Sequence, residues 1–324
     1  MTFSRRRFLH LAGGIVALGA PLLPAAQAQE KPIRIVFPFA AGGSGDGLAR
    51  LIAEKMQTAL NRVVIVDNRS GGAGRPAVVA VKNAAPDGAT LLISPIAPMA
   101  LYHHFYQNLE YDPFRDFTPI SQIATFDFAV AIGPQVSAVS LKELVAWVKA
   151  DSSRAAFGSP GAGTLPHFFG ILFSRATGAE LRHVPYRGSA AAIPDLTGGH
   201  VPMVFTTISD FVELHNAKRI RILATSGAQR SPFVADVPTF REAGFDIEGT
   251  AWFGAFAPVR TPRETVERHS SIIAAAVRMP DVRDRLLAYG LQPTGTSGSE
   301  FAAIQKADSE RWAPVVKASG FTAD

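Results

Sequence analysis

The sequence has no cysteine among its 324 residues. Such a chain cannot form disulfides, and it offers neither a thiol nucleophile nor a thiolate ligand for a metal. Its composition, 47% hydrophobic and 18% charged, is that of an ordinary globular protein. Its length is sufficient for two hydrophobic cores, so we expect two domains.

Sequence motifs of several enzyme classes are also missing. There is no Gly-x-Ser-x-Gly motif of a nucleophilic serine and no His-Glu-x-x-His motif of a zinc enzyme. The histidines do not have metal-ligand spacing, and the aspartates between residues 112 and 127 lie in irregular sequence typical of turns. We therefore expect no catalytic residue, no metal and no cofactor.

The apolar segment near the N-terminus is too short and too rich in glycine and proline to span a membrane, which takes roughly 20 residues. It follows the basic stretch "SRRRFLH" (Ser4–His10) and precedes "AQA" (Ala26–Ala28). This order is typical of a cleaved export signal, and the paired arginines match the twin-arginine type. We predict a signal peptide at residues 1–28, cleavage near Ala28 and a periplasmic protein.

Removal of residues 1–28 would lower the formal net charge from +5 to +2, because this segment holds three arginines and no acidic residue. The high isoelectric point is therefore no argument for a nucleic-acid partner.

The segment "PFAAGGSGDGLAR" (residues 38–50) contains four glycines between a β-branched run, "IRIVF", and apolar residues at helical spacing. The pattern predicts a strand, a tight loop and a helix. Neither phosphate motif fits: no lysine follows the last glycine, and Leu48 stands where a dinucleotide fingerprint needs glycine. Two interpretations remain: a simple turn, or a helix N-terminus that holds a carboxylate, with Asp46 at the loop edge.

A second glycine loop, "PGAGT", follows a predicted strand at Ala155–Ser159 and precedes a helix from Leu165 to about Thr177. Strands alternating with helices predict the α/β class with a parallel sheet. After Pro238 the pattern gives one strand, "AWFGAFAP", and then only helices, the first of them capped by Thr261. A tail without its own sheet must return to the first domain, so the chain would cross between the domains twice.

Ordered motifs along the whole mature chain resemble the Bug proteins, periplasmic solute receptors that serve tripartite tricarboxylate transporters. They include "KPIRIVFPFAAGGSGDGLARLIAEKM", "FGSPGAGTLPHFFGILF" and "HVPYRGSAAAIPDLTGGHV". The resemblance implies a type II periplasmic-binding-protein fold, with two α/β lobes, a central cleft and two crossover hinge segments. Lobe 1 would comprise residues 29–125 and 243–324, and lobe 2 residues 126–242.

The resemblance also implies that backbone amides of the two glycine loops hold the carboxylate of the ligand. The ligand-binding residues predicted in this way are Phe39, Ala41, Gly42, Gly43, Ser44, Asp46, Arg75, Ser94, Ser159, Gly161, Gly163, Thr164, Leu165, His167, Tyr186, Ser189, Thr206 and Thr207.

Three positions depart from the family pattern. Ala41 replaces a proline, Arg75 replaces an asparagine and could bring a positive charge to the cleft, and Thr206-Thr207 replaces an Asp-Asn pair. The last change removes an acid that could hold an amino group. We therefore expect a ligand without an ammonium group, either a dicarboxylate or an aromatic carboxylate.

The predicted function is that of a monomeric receptor that performs no chemistry and delivers a small carboxylate to inner-membrane subunits of a tripartite tricarboxylate transporter. Two alternatives remain open. One is a secreted α/β hydrolase, and the other is a carboxylate receptor that feeds a sensor kinase.

Overall fold

The computed structural model describes residues 31–324 of the chain. The predicted signal peptide and its cleavage site lie outside the described residues. Within them, the strands are β1 (Ile33–Phe37), β2 (Val64–Asn68), β3 (Thr90–Pro95), β4 (Phe117–Ile132), β5 (Ala156–Ser159), β6 (Arg182–Pro185), β7 (Met203–Thr207), β8 (Arg221–Thr225), β9 (Thr250–Pro258) and β10 (Gln292–Pro293). The helices are α1 (Ser44–Leu60), α2 (Arg75–Lys82), α3 (Leu141–Lys149), α4 (Leu165–Thr177), α5 (Ser189–Thr197), α6 (Val212–Asn216), α7 (Arg263–Arg278), α8 (Pro280–Ala288) and α9 (Gly298–Ser319).

The strands form two sheet regions that share β4. One region has the order β2-β1-β3-β9-β4 with β10 also on β4, and the other has β4-β7-β5-β6 with β8 also on β4. Neighbours β2, β1 and β3 are parallel, as are β7, β5 and β6, whereas β4 and β9 run antiparallel to their neighbours. The predicted α/β class is confirmed, but the sheets are mixed rather than purely parallel.

Strand β4 connects the two regions. It pairs with β9 from Phe117 to Asp127 and with β7 from Phe128 to Ile132. The chain passes from the first region to the second along β4 and returns between β8 and β9, so it crosses twice, as predicted. The lobe boundaries at residues 125/126 and 242/243 stay a prediction.

The helical tail packs on the first sheet region. Helix α7 contacts α1 and β4, and α9 also contacts β4. Helix α7 begins at Arg263, with Pro262 as its N-cap and no side-chain cap. The predicted cap by Thr261 is wrong, because the Thr261 hydroxyl donates to the carbonyl of Pro258 at 2.7 Å.

Candidate functional site

A cavity of about 140 Å³ lies where four strands end and three helices begin. Phe37 and Pro95 end β1 and β3, Thr207 ends β7, and Pro160 directly follows the end of β5. Ligand sites of α/β proteins commonly lie at the carboxyl ends of parallel strands. The cavity is lined by Phe37, Phe39, Ala40, Ala41, Gly43, Ser44, Gly45, Asp46, Pro95, Ile96, Ala97, Phe126, Phe128, Pro160, Thr164, Leu165, Pro166, Arg187, Gly188, Ser189, Ala190, Thr206, Thr207, Asp210 and Phe253.

The N-terminus of α1 contributes the first glycine loop to the cavity. Its N-cap, Gly43, has no side chain that could accept from the first-turn amides. Gly42 precedes it at φ 99°, a left-handed conformation that favours glycine. The amides of Ser44 and Gly45 therefore have no side-chain cap at the cavity wall.

The N-terminus of α4 contributes the second glycine loop. Its N-cap is Thr164, but the threonine hydroxyl donates to the carbonyl of Gly161 at 2.7 Å and does not cap the helix. Pro166 at the second helical position has no amide hydrogen, which leaves the Leu165 amide as an uncapped donor at this wall.

The third N-terminus belongs to α5, of which only Ser189 was predicted as a ligand-binding residue. Its N-cap is Gly188 at φ 104°, again without a side-chain cap, and the helix begins at Ser189. Side chains cap α3 and α9, where Ser140 accepts from the Glu143 amide and Ser297 from the Glu300 amide, whereas α7, away from the cavity, also lacks a side-chain cap. Three uncapped helix N-termini around one cavity provide amide donors and positive dipole ends, which is an arrangement that attracts an anion.

The rest of the wall is largely apolar and includes five phenylalanine rings. The ring of Phe126 stacks on that of Phe253, with centroids 4.7 Å apart, and lies edge-on to Phe128 at 5.4 Å. Phe37 lies 6.2 Å from Phe253, and Phe39 lies 6.1 Å from Phe37. These rings provide apolar surface against which a ligand body can be buried.

Gly45 allows α1 to approach these rings. A Cβ atom at this position would lie 2.5 Å from Phe37 Cζ and 2.7 Å from the ring of Phe253. Both rings are almost fully buried and cannot move aside freely. Gly45, the third glycine of the loop, is therefore required by packing, independently of any ligand.

Asp46 is buried, and protein donors already bond both of its oxygens. Its Oδ2 accepts from the Gly42 amide and from Arg50 Nε, both at 3.1 Å, and its Oδ1 accepts from Asn68 Nδ2 at 2.9 Å. Burial by itself raises the pKa of this carboxyl, but the bonds from Arg50, Gly42 and Asn68 outweigh it and lower the pKa. Asp46 is thus an ionised group that ties the loop to α1 and β2.

Asp210 is a second acid on the cavity wall, which sequence analysis did not identify. It ends a short 3-10 turn at Ile208–Asp210, and its Oδ2 accepts from Thr206 Oγ1 at 2.9 Å. Burial raises the pKa of this carboxyl, and the hydrogen bonds from Ser189 and Thr206 offset the rise only in part. The replacement of the Asp-Asn pair by Thr206 and Thr207 therefore does not leave this end of the cavity without an acid. The absence of an ammonium group from the ligand stays a prediction.

Ten of the eighteen predicted site residues line the cavity and eight do not. The ten are Phe39, Ala41, Gly43, Ser44, Asp46, Thr164, Leu165, Ser189, Thr206 and Thr207. The eight are Gly42, Arg75, Ser94, Ser159, Gly161, Gly163, His167 and Tyr186. A role of any of them in ligand binding stays a prediction.

Several of the eight form hydrogen bonds within the second glycine loop or next to it and so stabilise its conformation. His167 Nδ1 accepts from the Gly163 amide at 3.1 Å, and its ring stacks on His183 at 3.9 Å. Ser159 Oγ lies 2.7 Å from His183 Nε2 and donates to the carbonyl of Gly161. Burial lowers the pKa of His167 to about 4 and, together with His167, that of His183 to about 3, so both rings are neutral near pH 7.

Three other predicted residues do not line the cavity and have protein partners of their own. The Arg75 guanidinium lies over the ring of Tyr106, 4.1 Å from its centroid. The Tyr186 hydroxyl donates to Asp195 Oδ2 at 2.7 Å, and the buried Ser94 hydroxyl donates to the carbonyl of Pro95.

Residues 31–324 contain no group of three or more side chains placed to hold a metal ion. In the same residues, no helix is both long and apolar enough to cross a bilayer.

The chain matches a family model described as "Tripartite tricarboxylate transporter family receptor" over residues 48–321. Among curated proteins, it is 30% identical to Protein BugT of Bordetella pertussis, over 97% of this chain and 95% of that one.

Two solved structures from Rhodopseudomonas palustris are similar over most of their length. The structure described as Rpa4515 with adipate is 31% identical, has a TM-score of 0.85, and the match covers 90% of this chain and 98% of that one. MatC with bound malate is 28% identical, has a TM-score of 0.83, and the match covers 88% and 98% of the two chains.

Proposed function

We propose that this chain, which belongs to the tripartite tricarboxylate transporter family of receptors, captures a small carboxylate in the cavity between its glycine loops. The resemblance to Bug proteins is confirmed by this membership. The family and fold are those of periplasmic solute-binding proteins rather than of enzymes.

The observation that carries the proposal is the meeting of three uncapped helix N-termini, at Gly43, Thr164 and Gly188, around one cavity with five phenylalanine rings in its wall. One such terminus stabilises an anion by about 0.3–1 kcal/mol when exposed and by up to about 2 kcal/mol when partly buried. Micromolar affinity requires about 8 kcal/mol, so the helix ends are insufficient by themselves. Burial of the ligand's apolar body against the phenylalanine rings must supply much of the remainder.

The carboxylate belongs, on this proposal, to the dicarboxylates or the aromatic carboxylates. The adipate and malate in the two R. palustris structures support the first class. The five phenylalanines of the wall support a ligand with an apolar or aromatic body.

Closure of two lobes is part of the proposed function. Lobe 1 (29–125 and 243–324) and lobe 2 (126–242) would approach each other around the ligand, with bending at β4 and at the return between β8 and β9. The exchange of sheet partners between Asp127 and Phe128 supports a hinge in β4, because the strand leaves one region there and enters the other.

The twin-arginine-type signal would bring the protein to the periplasm, where it would act as a monomer and pass its cargo to the transporter's inner-membrane subunits. Co-purification with those subunits, in the presence and absence of ligand, tests the last step. Capture of a sensor kinase instead would favour the alternative receptor.

The binding proposal is tested by thermal unfolding of the purified protein with a panel of mono- and dicarboxylates. A ligand at a hundred times its Kd adds about 2.7 kcal/mol to the free energy of unfolding, which raises the melting temperature by several degrees. The ligand should be recovered unchanged. A panel that leaves the melting temperature unaltered refutes the proposal, whereas consumption of a carboxylate ester or amide at substoichiometric protein favours the hydrolase.

A further inference from the structure

Asp210 is an acid of the cavity wall whose charge no cation balances. Within residues 31–324, no lysine, arginine or histidine forms an ion pair with it. Asp46, the other acid of the wall, is paired with Arg50. The two carboxyl groups therefore differ: Asp46 is paired with an arginine, whereas Asp210 has no cationic partner among the described residues.

The contacts of Asp210 indicate an acceptor with spare capacity. The Thr206 hydroxyl donates to it at 2.9 Å, and the hydroxyl of Ser189, at the start of α5, also favours its charged form. An ionised carboxylate has about four lone-pair sites, so about two remain for another donor. Because Asp210 lines the cavity, a bound molecule can reach it.

Among the described residues, the one other charged side chain of the cavity lining besides Asp46 and Asp210 does not act as a cationic partner of Asp210. Arg187 also lines the cavity, but its side chain is exposed to water, which screens its field. A second carboxylate of a ligand next to Asp210 would place two negative charges together in a partly buried site, which is unfavourable.

We propose that Asp210 makes this site prefer carboxylates that also carry a hydrogen-bond donor, a hydroxyl or amino group, over ligands with a second carboxylate. The inference rests on the proposed function and narrows its range of ligands. Of the two proposed classes it disfavours the dicarboxylates, and it favours monocarboxylates that bear a donor. The N-termini of α1 and α4 hold the first carboxylate, the phenylalanine rings contact the body, and Asp210, which lies beside the N-terminus of α5, accepts from the donor.

Two probe series of matched shape test the preference by calorimetry on the purified protein. The aromatic series is benzoate, 4-hydroxybenzoate, 4-(aminomethyl)benzoate and terephthalate; the linear series is hexanoate, 6-hydroxyhexanoate, 6-aminohexanoate and adipate. In at least one series, the hydroxyl or amino member should bind about tenfold more tightly than the unsubstituted acid, as expected for a hydrogen bond to a charged group. The dicarboxylate of that series should bind more weakly than the unsubstituted acid. Comparison of the hydroxyl and ammonium members distinguishes a neutral donor from a cation.

Asp210→Asn assigns the preference to this side chain, because it keeps the size and removes the charge. In the variant, the advantage of the donor should fall to about threefold or less, and binding of the dicarboxylate should improve. Asp151→Asn is the control, since Asp151 lies at an exposed 3-10 turn away from the cavity, and it should leave the order of affinities unchanged.

The outcomes separate the two proposals. If no probe of either series binds, the carboxylate receptor is refuted and this inference with it. If carboxylates bind but the dicarboxylate is bound as tightly as the donor-bearing acid, only the inference about Asp210 fails. This ranking is read on the parent protein, so it does not depend on the folding of a variant.

Discussion

Asp46 accepts a hydrogen bond at 3.1 Å from the Nε of Arg50, which lies one turn further along α1. The same carboxylate holds the Gly42 amide and the Asn68 side chain, so it joins the glycine loop, the helix and β2. The loop geometry therefore exists before any ligand arrives. A preformed loop reduces the ordering cost of binding.

Replacement of Asp46 should consequently destabilise the ligand-free protein. In Asp46→Asn, an amide NH₂ takes the place of one acceptor oxygen and faces a donor. Loss of charge-assisted bonds of this kind costs about 1–3 kcal/mol, measured as the free energy of unfolding in urea at pH 7. Asp246→Asn is the control, because Asp246 is 91% exposed in its ion pair with Arg241, and it should change stability by less than about 0.5 kcal/mol.

The pH dependence of this effect has a definite sign. Because the folded state lowers the pKa of Asp46, its contribution is present above the unfolded pKa of 3.8 and is lost as the pH falls through the folded pKa. The difference between parent and Asp46→Asn should therefore shrink below pH 3.8. An unchanged melting temperature together with a changed ligand affinity would instead make Asp46 a ligand contact rather than a support of the loop.

Gly45 should tolerate no side chain. In Gly45→Ala, the added Cβ would overlap the buried rings of Phe37 and Phe253, and overpacking of this kind costs about 1–3 kcal/mol. Movement of Phe253 also disturbs its stack with Phe126, so carboxylate affinity should fall with stability. Urea unfolding and calorimetry measure the two effects.

Gly161→Ala is the matched control for Gly45→Ala. Its Cβ would lie 3.6 Å from Thr164 Cγ2, an ordinary van der Waals distance, and its φ is not in the left-handed region. It should change stability by less than about 0.5 kcal/mol. Equal losses in both variants would contradict the packing role of Gly45.

Local signals in the sequence were sufficient to predict the two glycine loops. The apolar run at Ile33–Phe37 and the helix at Leu165–Thr177 were predicted with the bounds that the structure shows. Glycines at the junctions then placed the N-termini of α1 and α4 at the site. In these segments the hydrophobic periodicity of the sequence matches the strand and helix that the structure shows.

The aromatic wall could not be predicted in this way. Phe126 and Phe128 lie on β4, a strand of 16 residues that sequence analysis did not recognise, because most of its residues are buried and it shows no alternation. Phe253 reaches the same cavity only because β9 pairs with both β3 and β4. Asp210 was missed for a similar reason: it lies beyond the end of β7, on a short turn whose direction depends on tertiary contacts.

Arg75 should not contribute to ligand binding. Its guanidinium is stacked on Tyr106, and its Nε donates to the carbonyl of Gly72 at 3.4 Å. Arg75→Ala should leave carboxylate affinity within about twofold of the parent, and it should lower stability by about 0.5–1 kcal/mol through loss of the cation–π contact. Arg75→Lys should retain part of that contact. A tenfold loss of affinity in Arg75→Ala, measured by calorimetry, would place Arg75 in the binding site after all.

Asp127 should make the free energy of unfolding depend on pH in the opposite direction to Asp46. It is the last β4 residue paired with β9, and burial raises its pKa to about 6. An acid whose folded pKa is raised stabilises the fold below its unfolded pKa of 3.8 and loses that contribution as the pH rises through about 6. Arg230 lines the adjoining cavity, but it is paired with Glu242 and does not neutralise Asp127.

Asp127→Asn removes this titration and should therefore stabilise the protein at pH 8 by about 1–3 kcal/mol relative to the parent, with little difference at pH 4. Urea unfolding at both pH values measures it, and Asp246→Asn should show no such pH-dependent gain. Because Asp127 lies beside Phe126 and Phe128, whose rings line the cavity, a charge-free residue here should also tighten ligand binding at pH 8 if closure buries this part of β4 further. A variant less stable than the parent at pH 8 would mean that the Asp127 carboxylate is ionised and satisfied in the folded protein.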